Sequence, residues 1–211
     1  MLPTYYEGFE FFYFPNRITW LIYSFIMTLT KTPICDFGKG AKSLSLKSTE
    51  NKTVSLNDVQ GKNGTLIMFI CNHCPYVKAV IDDIVNDSNI LKKEGINFLA
   101  IMSNDVKNYP EDSFDNMVNF AKENHFNFPY LIDETQEIAK AYGAVCTPDF
   151  FGYNSNLKLQ YRGRIRELKE LKPVRSGDSD LLNAMRMVAQ TGKGPEDQIP
   201  SMGCNIKWLN K

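Results

Sequence analysis

The chain has 211 residues, enough for one domain with a full hydrophobic core and a tail, and its 24 Lys+Arg balance its 24 Asp+Glu. With no net charge and no basic run longer than a pair such as Lys92-Lys93, neither nucleic acid nor a membrane surface is expected as a partner. Five cysteines (Cys35, Cys71, Cys74, Cys146, Cys204) are too few and too scattered for a disulfide-stapled scaffold, and one pair alone has a motif spacing.

In chain order, the first 26 residues stand apart, with ten aromatics against sixteen in all the rest. Their apolar run ITWLIYSFIMTL is 12 residues long, short of the roughly 20 that a spanning helix needs. Glu7 and Glu10, the lack of early Lys or Arg and the lack of an A-x-A-like site argue against a signal peptide. Met27 offers a second sensible start. Residues 1–30 are therefore read as an extension outside the fold, and the location as cytoplasmic; a genuine anchor or signal in 1–26 would make it membrane-anchored or extracytoplasmic.

A domain is expected over 31–192 and a tail packed on it over 193–211. KSLSLKST (42–49) alternates as a half-exposed strand does, and KTVSL follows as a short strand. TLIMFI (65–70) is apolar throughout, as suits a central strand covered on both faces. Val77, Val80, Ile81, Ile84, Val85 and Leu91 predict one helix over 75–93, which Gly95 ends, and INFLAIM (96–102) is a second buried strand. A helix over 113–125 begins at Asp112 or Ser113 as cap, and FPYLID (128–133) is a third strand whose Pro129 places it at an edge or a strand start. TQEIAKAY is helical up to Gly143, PDFFGYN and LKLQYRGRI form a hairpin, and a last helix spans 179–190. The tail shows no period. Such alternation means an α/β fold with a mixed central sheet flanked by helices.

Cys71 and Cys74 sit where the first buried strand meets its helix, with Pro75 suited to the first helical turn. A structural zinc site needs four ligands, and no second Cys-x-x-Cys is present, so no metal is assigned. Redox chemistry fits better. Unsatisfied N–H groups and the helix dipole are expected to lower the Cys71 pKa, with Cys74 placed to resolve a mixed disulfide and His73 as a further electrostatic lever.

Strand, CNHCPY, long helix and then VCTPDFF before a hairpin resemble the thioredoxin fold over about residues 35–191. The resemblance implies that Pro148 is cis and that Thr147 and Pro148 form a substrate shelf. The extra helix after the second core strand is similar to the redoxin branch. Together with YPEDS, YRGRI and GCNIKW, it resembles the AhpC/TSA peroxiredoxin-like, or "thioredoxin family protein", group. There are departures. The thioredoxin carboxylate in the preceding strand is missing, so His73 or water must serve Cys74. The Pro-x-x-x-Thr/Ser-x-x-Cys loop of peroxiredoxins does not precede Cys71.

The expected function is thiol–disulfide exchange with an antioxidant-type role. It would use Cys71 as nucleophile, Cys74 as resolving thiol, protein disulfides or dithiols as partners, and an external dithiol or oxidant in place of a cofactor. A thiol peroxidase is the first alternative. A copper-handling module, in which His125 would join the pair, is the second. Cys146 and Cys204 are candidate auxiliary thiols whose simpler role is packing. Arg162, Arg164 and Arg166 are read as a solvated strand face.

Overall fold

The computed structural model describes residues 29–209. Its centre is β4 (Gly64–Phe69), followed in the chain by α2 (Pro75–Lys78), α3 (Ile81–Lys93) and β5 (Ile96–Met102). β4 and β5 pair in parallel from Gly64↔Ile96 to Phe69↔Ile101. Side chains alternate across β4 and both faces are covered. Leu66, Met68 and Ile70 join the core beneath α3, while Ile67 and Phe69 join a second core on the opposite face. An unbroken apolar run is what such a strand requires.

Around this pair lie β2 (Ser45–Ser48), β3 (Thr53–Ser55), β6 (Tyr130–Ile132), β8 (Asp149–Asn154) and β9 (Leu159–Tyr161). The seven strands run in the order β3-β2-β6-β5-β4-β8-β9. β6 is parallel to β5, while β2, β3, β8 and β9 pair antiparallel with their neighbours. β6 lies inside the sheet, with Pro129 just before it rather than in the ladder. α1 (Leu56–Val59) turns the chain into β4, and α4 (Phe114–Glu123) is the extra helix between β5 and β6. α5 (Glu137–Tyr142) starts under Asp133, whose carboxylate accepts from Ala139 N at 2.9 Å, and ends at Gly143 with φ 68°. α6 (Asp180–Thr191) is capped by the Ser179 hydroxyl, which accepts from Leu182 N at 2.8 Å, and it too ends at a left-handed glycine, Gly192.

Two expectations are corrected and two elements are added. The helix over 75–93 is two helices, broken at Ala79 and Val80, where Val80 adopts φ −123° and ψ 8° outside the helical range. The tail, which shows no period in the sequence, contributes a strand. Its β12 (Met202–Asn205) joins β7 (Cys146–Thr147) and β1 (Leu29–Lys31) in a small antiparallel sheet ordered β1-β12-β7. A short hairpin, β10 (Leu168–Lys169) and β11 (Lys172–Pro173), follows β9. Finally, Arg162 and Arg166 are not solvated, being 7% and 9% exposed. Arg162 grips Asp149 with Nη2 to Oδ2 at 2.9 Å and lies over the Phe151 ring at 4.3 Å. Arg166 is bidentate to Asp83, at 2.8 and 2.9 Å. Both arginines follow the end of β9, and each meets a carboxylate from another element in place of water.

β1 runs across the expected boundary at residue 30, and the aromatic segment 1–26 lies outside the described residues. Among the described residues no helix is long and apolar enough to cross a membrane.

Candidate active site

β4 ends at Phe69, and the chain leaves the sheet through Ile70 into Cys71, Asn72, His73 and Cys74, the residue that caps α2. Across from it lies β7, whose Thr147–Pro148 peptide is cis. The pair and the Thr-Pro segment meet directly. Cys71 Sγ is 3.3 Å from Thr147 Oγ1, and Cys74 Sγ is 3.1 Å from the Thr147 carbonyl oxygen. The cluster has a third sulfur: Cys204 Sγ, from β12, is 3.1 Å from Cys74 Sγ.

A carboxylate that sequence reading treated only as a helix cap holds the loop in place. Asp112 is 0% exposed. It accepts from Asn72 N at 2.8 Å, His73 N at 3.3 Å and Asn104 Nδ2 at 2.7 Å, and its Oδ2 is 2.8 Å from His73 Nδ1. Asn72 is fixed further by donating to Glu111 O and accepting from the Tyr130 hydroxyl at 3.0 Å. The His73 ring stacks on Tyr109 at 5.8 Å. The turn between the cysteines is thus laced to the loop before α4, and YPEDS supplies the acceptor.

The order of acidity differs from the sequence expectation. Cys71 is 1% exposed and Cys74 0%. Burial, then the hydrogen bond to Cys74 and the Asp112 charge, push the Cys71 thiol well above the ordinary cysteine value. Cys74 moves the other way, because once ionised it accepts S–H bonds from Cys204 first and Cys71 second. Its hydrogen bond to Cys74 and burial raise Cys204 in turn. The helix mouth does not decide the matter, since α2 is a single turn and Cys71 stands three residues before its cap. His73 is held above its usual pKa chiefly by its bond to Asp112, and that carboxylate's charge works against ionising Cys71.

Among the other cysteines, Cys146 is fully buried, its thiol pushed up by desolvation, and Cys35 is pushed to about 11 for the same reason. Cys71, His73 and Asp112 bring one ligand atom each within 4.8 Å of one another, close enough for a shared metal ion. His125, the histidine a copper site would need, is exposed just beyond α4 and is not part of that group. Beside Pro148 a groove of about 390 Å³ runs between Tyr76, Val80, Ile165, Leu168 and Met202, with Arg166 at its edge.

A mixed sheet with parallel β4 and β5, an added helix before the third core strand, and a Cys-x-x-Cys facing a cis Thr-Pro define a thioredoxin-fold redoxin. The AhpC/TSA family profile matches residues 37–168, and the chain belongs to that family. No protein of curated function matches the sequence. Among solved structures, a conserved uncharacterized protein from Geobacillus kaustophilus is similar at 41% identity and TM-score 0.83, covering 88% of this chain and 98% of its own. A hypothetical protein from Sinorhizobium meliloti is similar at 31% identity and TM-score 0.80, covering 86% of this chain and 100% of its own. A thiol:disulfide interchange protein of the thioredoxin family from Chlorobium tepidum shares the fold at TM-score 0.55 and 19% identity, over 72% of this chain and 97% of its own.

Proposed function

We propose that this protein is a thiol–disulfide oxidoreductase whose working pair is Cys71 and Cys74. The observation that carries this reading is the contact of both sulfurs with Thr147, at 3.3 and 3.1 Å, beside the groove at Pro148. Exchange begins when Cys74, the more acidic of the two thiols, gives up to solvent the proton it otherwise donates to the Thr147 carbonyl. Cys71 attacks a substrate disulfide as its proton passes to the Cys74 sulfur along their S–H···S bond. One substrate thiolate leaves, and it takes up that proton. Cys74, a thiolate again, attacks Cys71, closes the internal disulfide and expels the second thiolate, which is protonated from solvent. An external dithiol resets the pair. His73, paired with Asp112, fixes the turn and adds a proton-holding group beside Cys71. Thr147 and Pro148 form the shelf along which an extended substrate lies.

Cys71→Ser is expected to abolish dithiol-dependent reduction of a protein disulfide, and Cys74→Ser to trap the mixed disulfide on Cys71. Retained turnover in Cys71→Ser would refute the assignment. A redox titration by alkylation and mass spectrometry gives the direction: a potential near roughly −270 mV marks a reductant and one near about −120 mV an oxidant.

Burial favours a second reading. At 1% and 0% exposure the sulfurs meet a protein disulfide only after their cover shifts, whereas a peroxide is small enough to need far less room. In that reaction Cys71 takes one peroxide oxygen as a sulfenic acid and releases an alcohol; Cys74 then displaces water to form the disulfide. Peroxide consumption that needs both Cys71 and an external thiol would establish it.

A further inference from the structure

We propose that Cys204 is a third redox thiol, and that a Cys71–Cys74 disulfide isomerises to a Cys74–Cys204 disulfide. The inference rests on the exchange reading above and extends it to a residue 130 positions from Cys74 in sequence. Cys71 and Cys204 each contact Cys74. The Cys204 sulfur stands 3.1 Å from that of Cys74, and a disulfide bond spans about 2.05 Å, so roughly 1 Å of approach separates contact from bond.

The backbone is built for this approach. Cys204 pairs with Thr147 on one side of β12 and with Leu29 on the other, which pins it between two strands. Its neighbour Gly203 makes the close packing possible. A Cβ there would stand 2.0 Å from the Thr147 carbonyl oxygen and 2.7 Å from its carbon, backbone atoms with little freedom to yield. Glycine lets the strand press onto the Thr-Pro segment, and the next residue brings its sulfur to the pair.

The exchange is balanced without any outside reagent. The Cys204 thiolate attacks Cys74 Sγ, the bond to Cys71 breaks as the bond to Cys204 forms, and Cys71 leaves as a thiolate that takes up the proton Cys204 gave up. No electrons enter or leave. The protein stays oxidised by two electrons while Cys71 becomes a thiol again, able to open another substrate disulfide.

The test uses the full chain, reduced and then oxidised with diamide, an azo compound that takes two electrons from a dithiol. The remaining thiols are alkylated and the protein is digested with trypsin for mass spectrometry. Cys71 and Cys74 share tryptic peptide 63–78 and Cys204 lies on 194–207, so a cross-link between the two peptides reports Cys204. In Cys71→Ser the cross-link is expected in most molecules; recovering Cys74 and Cys204 both alkylated overturns the proposal. In Cys204→Ala the cross-link is expected to disappear while the loop within 63–78 still forms. The unaltered chain gives a measurement free of folding effects: the cross-linked fraction should grow after the loop forms, and a population holding only the loop at all times defeats the isomerisation. If the unaltered chain never forms the loop, the exchange reading of the pair falls, and the Cys71→Ser result still decides Cys204 by itself.

Discussion

Asp112 carries the most polar load at the site. Its carboxylate has no exposure and takes donors from Asn72, His73 and Asn104. Asp112→Asn puts an NH₂ where acceptors are needed, which should cost about 1–3 kcal/mol. It should also lower the His73 titration midpoint, read by NMR of the ring. The sign follows from His73 having a raised pKa in the folded protein. Its stabilisation is complete below the unfolded value of 6.5 and is lost as pH rises through the folded value. The gap in melting temperature between the native chain and Asp112→Asn should therefore be widest on the acid side of 6.5 and narrow at higher pH. A gap that does not change with pH would remove His73 from the account. The Cys-x-x-Cys was legible because chemistry and spacing lie within four adjacent residues. Asp112 was not, because YPEDS reads equally well as a helix start and nothing local marks it as facing a loop 40 residues upstream.

Between elements, two contacts invite measurement. α3 meets α6 through Asp87, whose Oδ2 is 2.5 Å from the hydroxyl of the cap residue Ser179. Burial first of all raises the Asp87 carboxyl to about 6, with the Ser179 hydrogen bond opposing. A carboxyl raised on folding stabilises below its unfolded pKa, and that contribution is lost as pH rises through about 6. Asp87→Asn keeps an acceptor for Ser179 and carries no charge. It should raise stability at pH 7 by on the order of 1–2 kcal/mol and leave it unchanged near pH 4, as thermal melts at the two pH values would show. The second contact is Gly203. Gly203→Ala forces β12 away from Thr147 and should cost about 1–3 kcal/mol while weakening the approach of Cys204 to Cys74, seen as a lower cross-link yield after oxidation. β4 and β5 were legible as solid apolar runs, which buried parallel strands must be. β12 was not: it is four residues long and mixed in polarity, and its partners, residues 29–31 and 146–147, are far away in sequence.

For the whole molecule, the two cores on opposite sheet faces are held at their edges by ion pairs that reach across the chain. Arg162 joins β9 to Asp149 at the start of β8, and its Nη2 also donates to the Gly143 carbonyl at 2.8 Å. Burial pushes the Asp149 carboxyl up while Arg162 pulls it down, so the pair depends on both partners. Arg162→Ala leaves a buried carboxylate unopposed and should cost about 3–5 kcal/mol. Differential scanning calorimetry should show a melting point lower by on the order of 10 °C, and Asp149→Asn in the same chain should restore part of it. A shift of only a degree or two would mean that water reaches Asp149. Alternation read these arginines as a strand face, but β9 ends at Tyr161 and they follow it, and their carboxylate partners, Asp149 and Asp83, come from other elements that nothing local in the sequence marks.

The small sheet of β1, β12 and β7 bears on biosynthesis. A growing polypeptide presents Cys71 and Cys74 long before the ribosome has made residues 202–205, so for much of translation the pair has neither β12 nor its third sulfur beside it. During that interval the two thiols are open to whatever oxidant the compartment holds, and the arrival of one short strand brings Cys204 against Cys74 and completes the three-membered set.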